Sequence, residues 1–308
     1  MRIRDVKKGQ LAAWTVAGLS APVAQFVGGM AWYMVLLIAA LCLGAGWCVS
    51  RINLELPRWL GVIEYIWIAC VIGSAASWIS ESWSSGEVYP WVPLILLALG
   101  CASALRGMEN AARVGSILFW LTALVYAGVI VAGVGAAEGV ALSVKESGMD
   151  ERLVIVLLIP ALAVFWKERN GSVPVFTLAG VLIFAVLLSV LITSALSLPV
   201  AVNTAMPLHE WVEGLRLAGT LSRFEAIVSM ALNMGWFALL AYLVSVAGKL
   251  ADEARDGAYC KGCWGAAVGA GIIVVTMKEI EPRILVLGSL VMWVIAPVVL
   301  ALVGKKKK

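Results

Sequence analysis

The sequence predicts an all-α integral membrane protein of ten transmembrane helices, built as a 5+5 inverted repeat. Three observations carry this. Of the 308 residues, 62% are apolar and 14% are charged, which excludes an ordinary water-soluble surface. The apolar residues come in blocks of about 20, the length that crosses the hydrocarbon as a helix, and runs such as MVLLIAALCLGAG lack the alternation of a barrel strand. The longest polar connector in the first two thirds of the chain, AEGVALSVKESGMDER, separates spans five and six. Because five is odd, the second set must start from the opposite side of the membrane.

The expected spans are residues 10–27, 31–49, 59–80, 90–105, 114–136, 152–166, 173–197, 224–247, 262–277 and 284–303, in one polytopic domain with halves 1–136 and 137–308. The first follows Arg2, Arg4, Lys7 and Lys8 without a small-residue cleavage site, so it reads as a retained helix. With the N-terminus inside, the inner segments hold 17 of the 23 Lys and Arg residues and the outer segments hold six. That bias places both termini in the cytoplasm. The net charge of +4 then needs no nucleic-acid partner, and the tail KKKK reads anionic lipid head groups or fixes topology.

Span one is interrupted by GLSAP, and span six is short and carries Pro160. Interrupted helices in corresponding positions of two inverted halves free backbone amides and carbonyls that can hold a guest at the midplane. The expectation is therefore a discontinuous first and sixth helix, with a ligand site at Ala17, Gly18, Leu19, Ser20, Ala21 and Pro22, joined by Ile159 and Pro160. The competing reading is packing: Gly lets membrane helices approach closely, and Pro merely kinks them.

Four places in the chain resemble the B-subunit family of spore germinant receptors, in the amino acid, polyamine and organocation (APC) transporter superfamily with its LeuT-type fold. KKGQLAAW at 7–14 is similar to the family's opening Gln before an apolar helix. GGMAWYM at 28–34 resembles its Gly-x-Asp-Ala-Trp turn, with Met30 in place of Asp. RGMENAARVG at 106–115 is similar to the Gly-x-Glu-x-x-x-Arg signature, through Gly107, Glu109 and Arg113. SRFEAIVSMAL at 222–232 resembles the Arg-x-Glu start of span eight, through Arg223 and Glu225.

The resemblance implies a ligand site among spans one, three, six and eight, which adds Cys70, Ser229 and Asn233 to the residues above. It also implies an amino acid or similar nutrient as ligand, A-type and C-type subunits as partners, and the bacterial cytoplasmic membrane, or the spore inner membrane in a sporulating organism, as location. An amino-acid permease working by alternating access and a scaffold subunit without ligand stand beside this reading.

The remaining candidates are weighed one by one. Glu64 is the acid expected within a span, where it is either a proton or cation site or a structural acid reaching water or a base near Arg58. Ser229 and Asn233 lie one turn apart on span eight and either line a cavity or glue helices together. Ser20 and Ser229 offer too few oxygens for a sodium site. CKGC at 260–263 lacks the context of a redox motif and is two ligands short of a zinc site. His209 lies in an amphipathic outer stretch expected to lie across the mouth as a cap. With a single His and no grouped acid, base and nucleophile, no enzyme, metal or cofactor is expected.

Overall fold

The structure, a computed structural model, describes residues 8–28, 30, 32–50, 57–83, 91–136, 150–159, 175–196, 207–214, 224–276 and 280–305. In chain order the helices are α1 (Lys8–Phe26), α2 (Trp32–Ser50), α3 (Arg58–Trp83), α4 (Trp91–Leu105), α5 (Met108–Ala136), α6 (Glu151–Leu158), α7 (Val175–Leu196), α8 (Pro207–Gly214), α9 (Phe224–Ala254) and α10 (Tyr259–Thr276). They are followed by α11 (Pro282–Leu290), a π-helical turn (Val291–Ile295) and α12 (Ala296–Lys305), which continue one another as a single rod. Each expected span overlaps a helix, span six only up to Leu158 because residues 160–174 lie outside the described residues, and the short amphipathic α8 comes between spans seven and eight.

Among the described residues, five helical stretches are long and apolar enough to cross a membrane: Arg58–Ile79, Met108–Val134, Glu225–Ala254, Tyr259–Thr276 and Pro282–Leu300. The protein is thus an α-helical membrane protein. The stretches in α3 and α9 are 61% and 67% buried, against 22% for those in α5, α10 and the α11–α12 rod. Two rods therefore form the centre and three form the periphery. The periphery turns Trp120, Leu124, Val131, Val268, Ile272 and Leu287 outward, a surface that water would not tolerate and lipid does.

Setting α8 aside, ten rods remain, and their packing has an internal exchange rule. Replacing each rod by the one five places further on, or five places back, turns contacts into contacts. Thus α1 packs on α5 as α6 packs on α11, α4 on α9 as α10 on α3, and α1 on α7 as α6 on α2. The pairs α1–α6, α2–α7, α3–α9 and α4–α10 each join a rod to its own counterpart. The extensive α1–α9 contact and the smaller α4–α5 contact are exceptions, with no equivalent of comparable extent among the described residues.

Two tight connections fix one end of the bundle. Gly107 (φ 95°) and Gly257 (φ 75°) take the left-handed conformation that ends a helix cheaply, closing the α4–α5 and α9–α10 corners. Tyr259 Oη donates to the Ala104 carbonyl at 3.2 Å, so both corners lie at the same end. The 106–115 motif thereby has a structural explanation. Gly107 makes the turn, Glu109 sits in the first turn of α5, where the helix dipole favours an acid, and it pairs with Arg113 one turn on.

The first helix corrects an expectation. α1 runs unbroken from Lys8 to Phe26 with Pro22 inside it. Pro22 removes only its own N–H, the bond to the Gly18 carbonyl, and the helix continues through that loss. A Cβ on Gly18 would lie 3.1 Å from the Leu239 Cα, and one on Gly235 would lie 2.5 Å from the Ala21 Cβ. The small residues of GLSAP therefore serve to bring α1 and α9 backbone to backbone, and the interruption expected there does not exist. At the sixth helix, α6 ends at Leu158 and Pro160 lies outside the described residues.

Gly18→Ala is expected to destabilise the protein by about 1–3 kcal/mol, because its methyl meets backbone that cannot rotate away. Gly44→Ala, which meets nothing within 4 Å, is expected to be neutral or to gain up to about 1 kcal/mol of helix propensity. Thermal unfolding of the two variants in one detergent checks this, and equal melting temperatures would disprove the close crossing.

Candidate functional site

The residues expected to form one site are dispersed. Ala17, Gly18 and Ala21 face α9, Leu19 is fully buried, and Pro22 is buried within the helix. The amides around Gly18 belong to a continuous helix, so they are not free to bind a carboxylate. Ser20 Oγ donates to the Ala17 carbonyl at 2.7 Å. Cys70 is half-buried on α3 and Ile159 is buried at the end of α6. Asn233 Nδ2 donates to the Ser229 carbonyl at 2.7 Å, so part of its amide closes on its own helix. Among the described residues no three His, Cys, Asp or Glu side chains come together to hold a metal. Cys260 and Cys263 are both free thiols, one exposed and one buried.

One end of the space between α1, α3 and α9 is filled by protein side chains. Gln25 of α1 is buried there, donating through Nε2 to the Trp78 carbonyl at 3.2 Å and accepting from Trp236 Nε1 at 3.1 Å. One amide thus ties three helices together. Phe26 lies edge-on to Trp78 and to Trp236, with centroids 5.6 and 6.3 Å apart. Arg152, at the start of α6, sits 4.7 Å above the Phe26 ring, its backbone N–H and guanidinium both held by Asp150. The stack closes this end.

A cavity of about 1000 Å³ lies instead on another face of α1, between α1, α5 and α7. Gln10, Val16, Ser20, Thr122, Tyr126 and Phe184 are among the residues that line it, and among the described residues no charged side chain does so. The hydroxyls of Ser20, Ser116 and Thr122 donate to carbonyls of their own helices. Tyr126 differs: its Oη is buried and approached by the Ser20 hydroxyl without completing a hydrogen bond, while its ring lies 5.0 Å from that of Phe184. The cavity is an apolar chamber with one idle hydroxyl, suited to a small molecule that has an apolar body and a single hydrogen-bonding group. Of the expected site residues, only Ser20 lines it.

Glu64 is the second unusual group. Its side chain is completely buried and neither carboxyl oxygen makes a hydrogen bond. Among the described residues no base hydrogen-bonds to either carboxyl oxygen. The polar group that approaches it is the indole of Trp293, from the π-helical turn, whose own Nε1 is buried and unpaired.

The amphipathic stretch around His209 forms the short helix α8. It packs on α9, α7 and α1, its Leu208, Trp211 and Val212 are buried, and Pro207 sits against Gly28 at the end of α1. Sequence reasoning missed Gln25 and Tyr126. A Gln one turn before the end of an apolar span was the available signal for the first. Nothing in the sequence distinguishes Tyr126 from the interfacial tyrosines common in membrane helices.

Gln25→Leu is expected to cost about 1–3 kcal/mol, because it leaves the Trp236 N–H and the Trp78 carbonyl buried without partners. Pairing it with Trp236→Phe should recover part of that loss by removing the orphaned donor, a coupling that thermal unfolding of the double variant measures. In comparison with known proteins, the chain matches no protein-family model and no curated sequence.

Proposed function

We propose that this chain is the nutrient-binding membrane subunit of a receptor complex, built on a LeuT-type 5+5 inverted repeat. The observation that carries the reading is the α1/α5/α7 cavity, with room for a small solute and a buried Tyr126 hydroxyl that the Ser20 hydroxyl approaches without completing a hydrogen bond. The exchange rule in the helix packing supports the inverted architecture, since a pseudo-twofold axis between two five-helix halves requires such a pattern. The sequence resemblance supplies the class: a spore germinant receptor B-subunit, binding an amino acid or similar nutrient and assembling with A-type and C-type subunits.

Recognition differs from what the resemblance and the GLSAP motif imply. With no charged group in the lining and no free amides in α1, an ionic end of the ligand stays at the exposed rim near Trp120 and Gly180. The apolar portion fills the chamber and Tyr126 Oη reads one polar atom. Apolar amino acids fit this better than acidic or basic ones.

Alternating-access transport is a second reading, favoured by the unpaired Glu64 carboxyl in a membrane helix. A screen of amino acids by thermal shift on the purified protein tests the first. An apolar amino acid is expected to raise the melting temperature, and Tyr126→Phe to weaken its binding about tenfold, ~1.4 kcal/mol, without unfolding the protein. Binding that is indifferent to Tyr126→Phe and Ser20→Ala moves the ligand elsewhere. Stabilisation by none of the amino acids favours a scaffold, and uptake into proteoliposomes favours a permease.

A further inference from the structure

Buried carboxylates in proteins are paired, hydrogen-bonded or protonated, because an isolated charge in a low-dielectric surround costs several kcal/mol even after relaxation. Glu64 is neither paired nor hydrogen-bonded. It sits on the central helix α3 with its side chain fully buried, one residue before Tyr65, whose Oη is fixed on the Gly262 carbonyl of α10 at 2.9 Å. Across from it the π-helical turn interrupts the α11–α12 rod, with the Ala296 amide bonded to the Val291 carbonyl five residues back. Trp293, at the centre of that turn, is fully buried with an unpaired indole N–H.

The surrounding ionisable groups do not neutralise Glu64. On α3 these are Arg58 and Tyr65; on α9, Lys249, which has interactions of its own; on α10, Tyr259 and Cys263; on α4, Cys101; and beside α11, Arg283, which is held by Glu151. None of them hydrogen-bonds to either carboxyl oxygen. A metal cation fits no better. The approaching group is an N–H donor, which repels a cation, and the nearby Ser289 Oγ already accepts from Trp67 Nε1 at 3.2 Å.

We propose that Glu64 is a proton-binding site, loaded in this conformation and sealed between α3 and the π-helical turn of the α11–α12 rod. Release breaks the carboxyl O–H bond and passes the proton to water. Water reaches Glu64 only when the rod parts from α3, since the side chain has no exposed surface here. Proton loss and separation of the two helices are then one event. The π-helical turn, a feature that recurs inside α-helices at functional sites, is the element that lets the rod shift locally. Bringing Trp293 back over a deprotonated Glu64 strands a carboxylate in an apolar site, so reclosure requires the proton. The site is independent of whether the α1/α5/α7 cavity binds a nutrient.

Infrared difference spectroscopy of the full-length protein in lipid nanodiscs tests the proposal. The wild type is expected to show the C=O stretch of a protonated carboxylic acid at neutral pH, absent from Glu64→Gln and displaced in Trp293→Phe. The band should disappear reversibly at alkaline pH, with the carboxylate bands growing in its place. Absence of the acid band at neutral pH overturns the proposal, because Glu64 is then charged. A band that survives unchanged until the protein unfolds also overturns it, since the acid is then a fixed structural group. If Glu64→Gln does not fold, Glu64→Asp serves instead, with a shifted acid band as the expected result and an unshifted one as the contrary result.

Discussion

The structure depends on how closely two backbones approach at the α1–α9 crossing. Lipid tails are as apolar as leucine, so little hydrophobic force drives one membrane helix against another, and contact must come from shape. Gly18, Ala17 and Ala21 of α1 meet Gly235 and Leu239 of α9 so closely that a Cβ on Gly18 would lie 3.1 Å from the Leu239 Cα. Trp14 Nε1 secures the same interface through the Ala238 carbonyl at 3.0 Å. With α1 fixed on α9, its other faces are committed. One bounds the cavity with α5 and α7, and its end delivers Gln25 and Phe26 to Trp78 and Trp236.

Polar groups inside the bundle then fall into two kinds. Gln25 is spent on structure, its amide satisfying an indole and a carbonyl on two other helices, which is how a membrane protein affords a buried amide. Tyr126 and Glu64, like Ser74 and the indoles of Trp32, Trp211 and Trp293, complete no hydrogen bond. Tyr126 lies beside a void, and Glu64 against the one π-helical turn in the described chain. An orphaned polar group costs stability, and in native proteins such groups concentrate where a ligand or proton completes them.

The helices were legible in the sequence because hydropathy alone determines which segments prefer lipid, and that preference is local. Span one was placed at 10–27 and α1 runs Lys8–Phe26; span nine was placed at 262–277 and α10 runs Tyr259–Thr276. The site was much less so. Gly18, Ser20 and Pro22 have the same letters whether a helix breaks or packs, and only the partner across the interface decides between them. The sequence could not show that Gly235 and Leu239 stand opposite. Glu64 was visible as an acid in an apolar span, but the indole that faces it comes from a residue more than two hundred positions away. The π-helical turn at Val291–Ile295 has no sequence signature at all; its five residues read as ordinary apolar helix.

The unbroken, tightly packed first helix is tested most directly by cross-linking across its interface in native-like membranes. In a background without the natural cysteines, Gly18→Cys and Leu239→Cys place two thiols on β-carbons 3.4 Å apart, close to the 3.5–4.5 Å that a disulfide spans. The two substitutions together should give rapid, near-complete cross-linking on mild oxidation, while Gly44→Cys with Leu239→Cys gives none. A Gly18→Cys thiol that stays unlinked to Leu239→Cys but reacts readily with a water-soluble maleimide would show that the first helix opens to solvent at GLSAP after all.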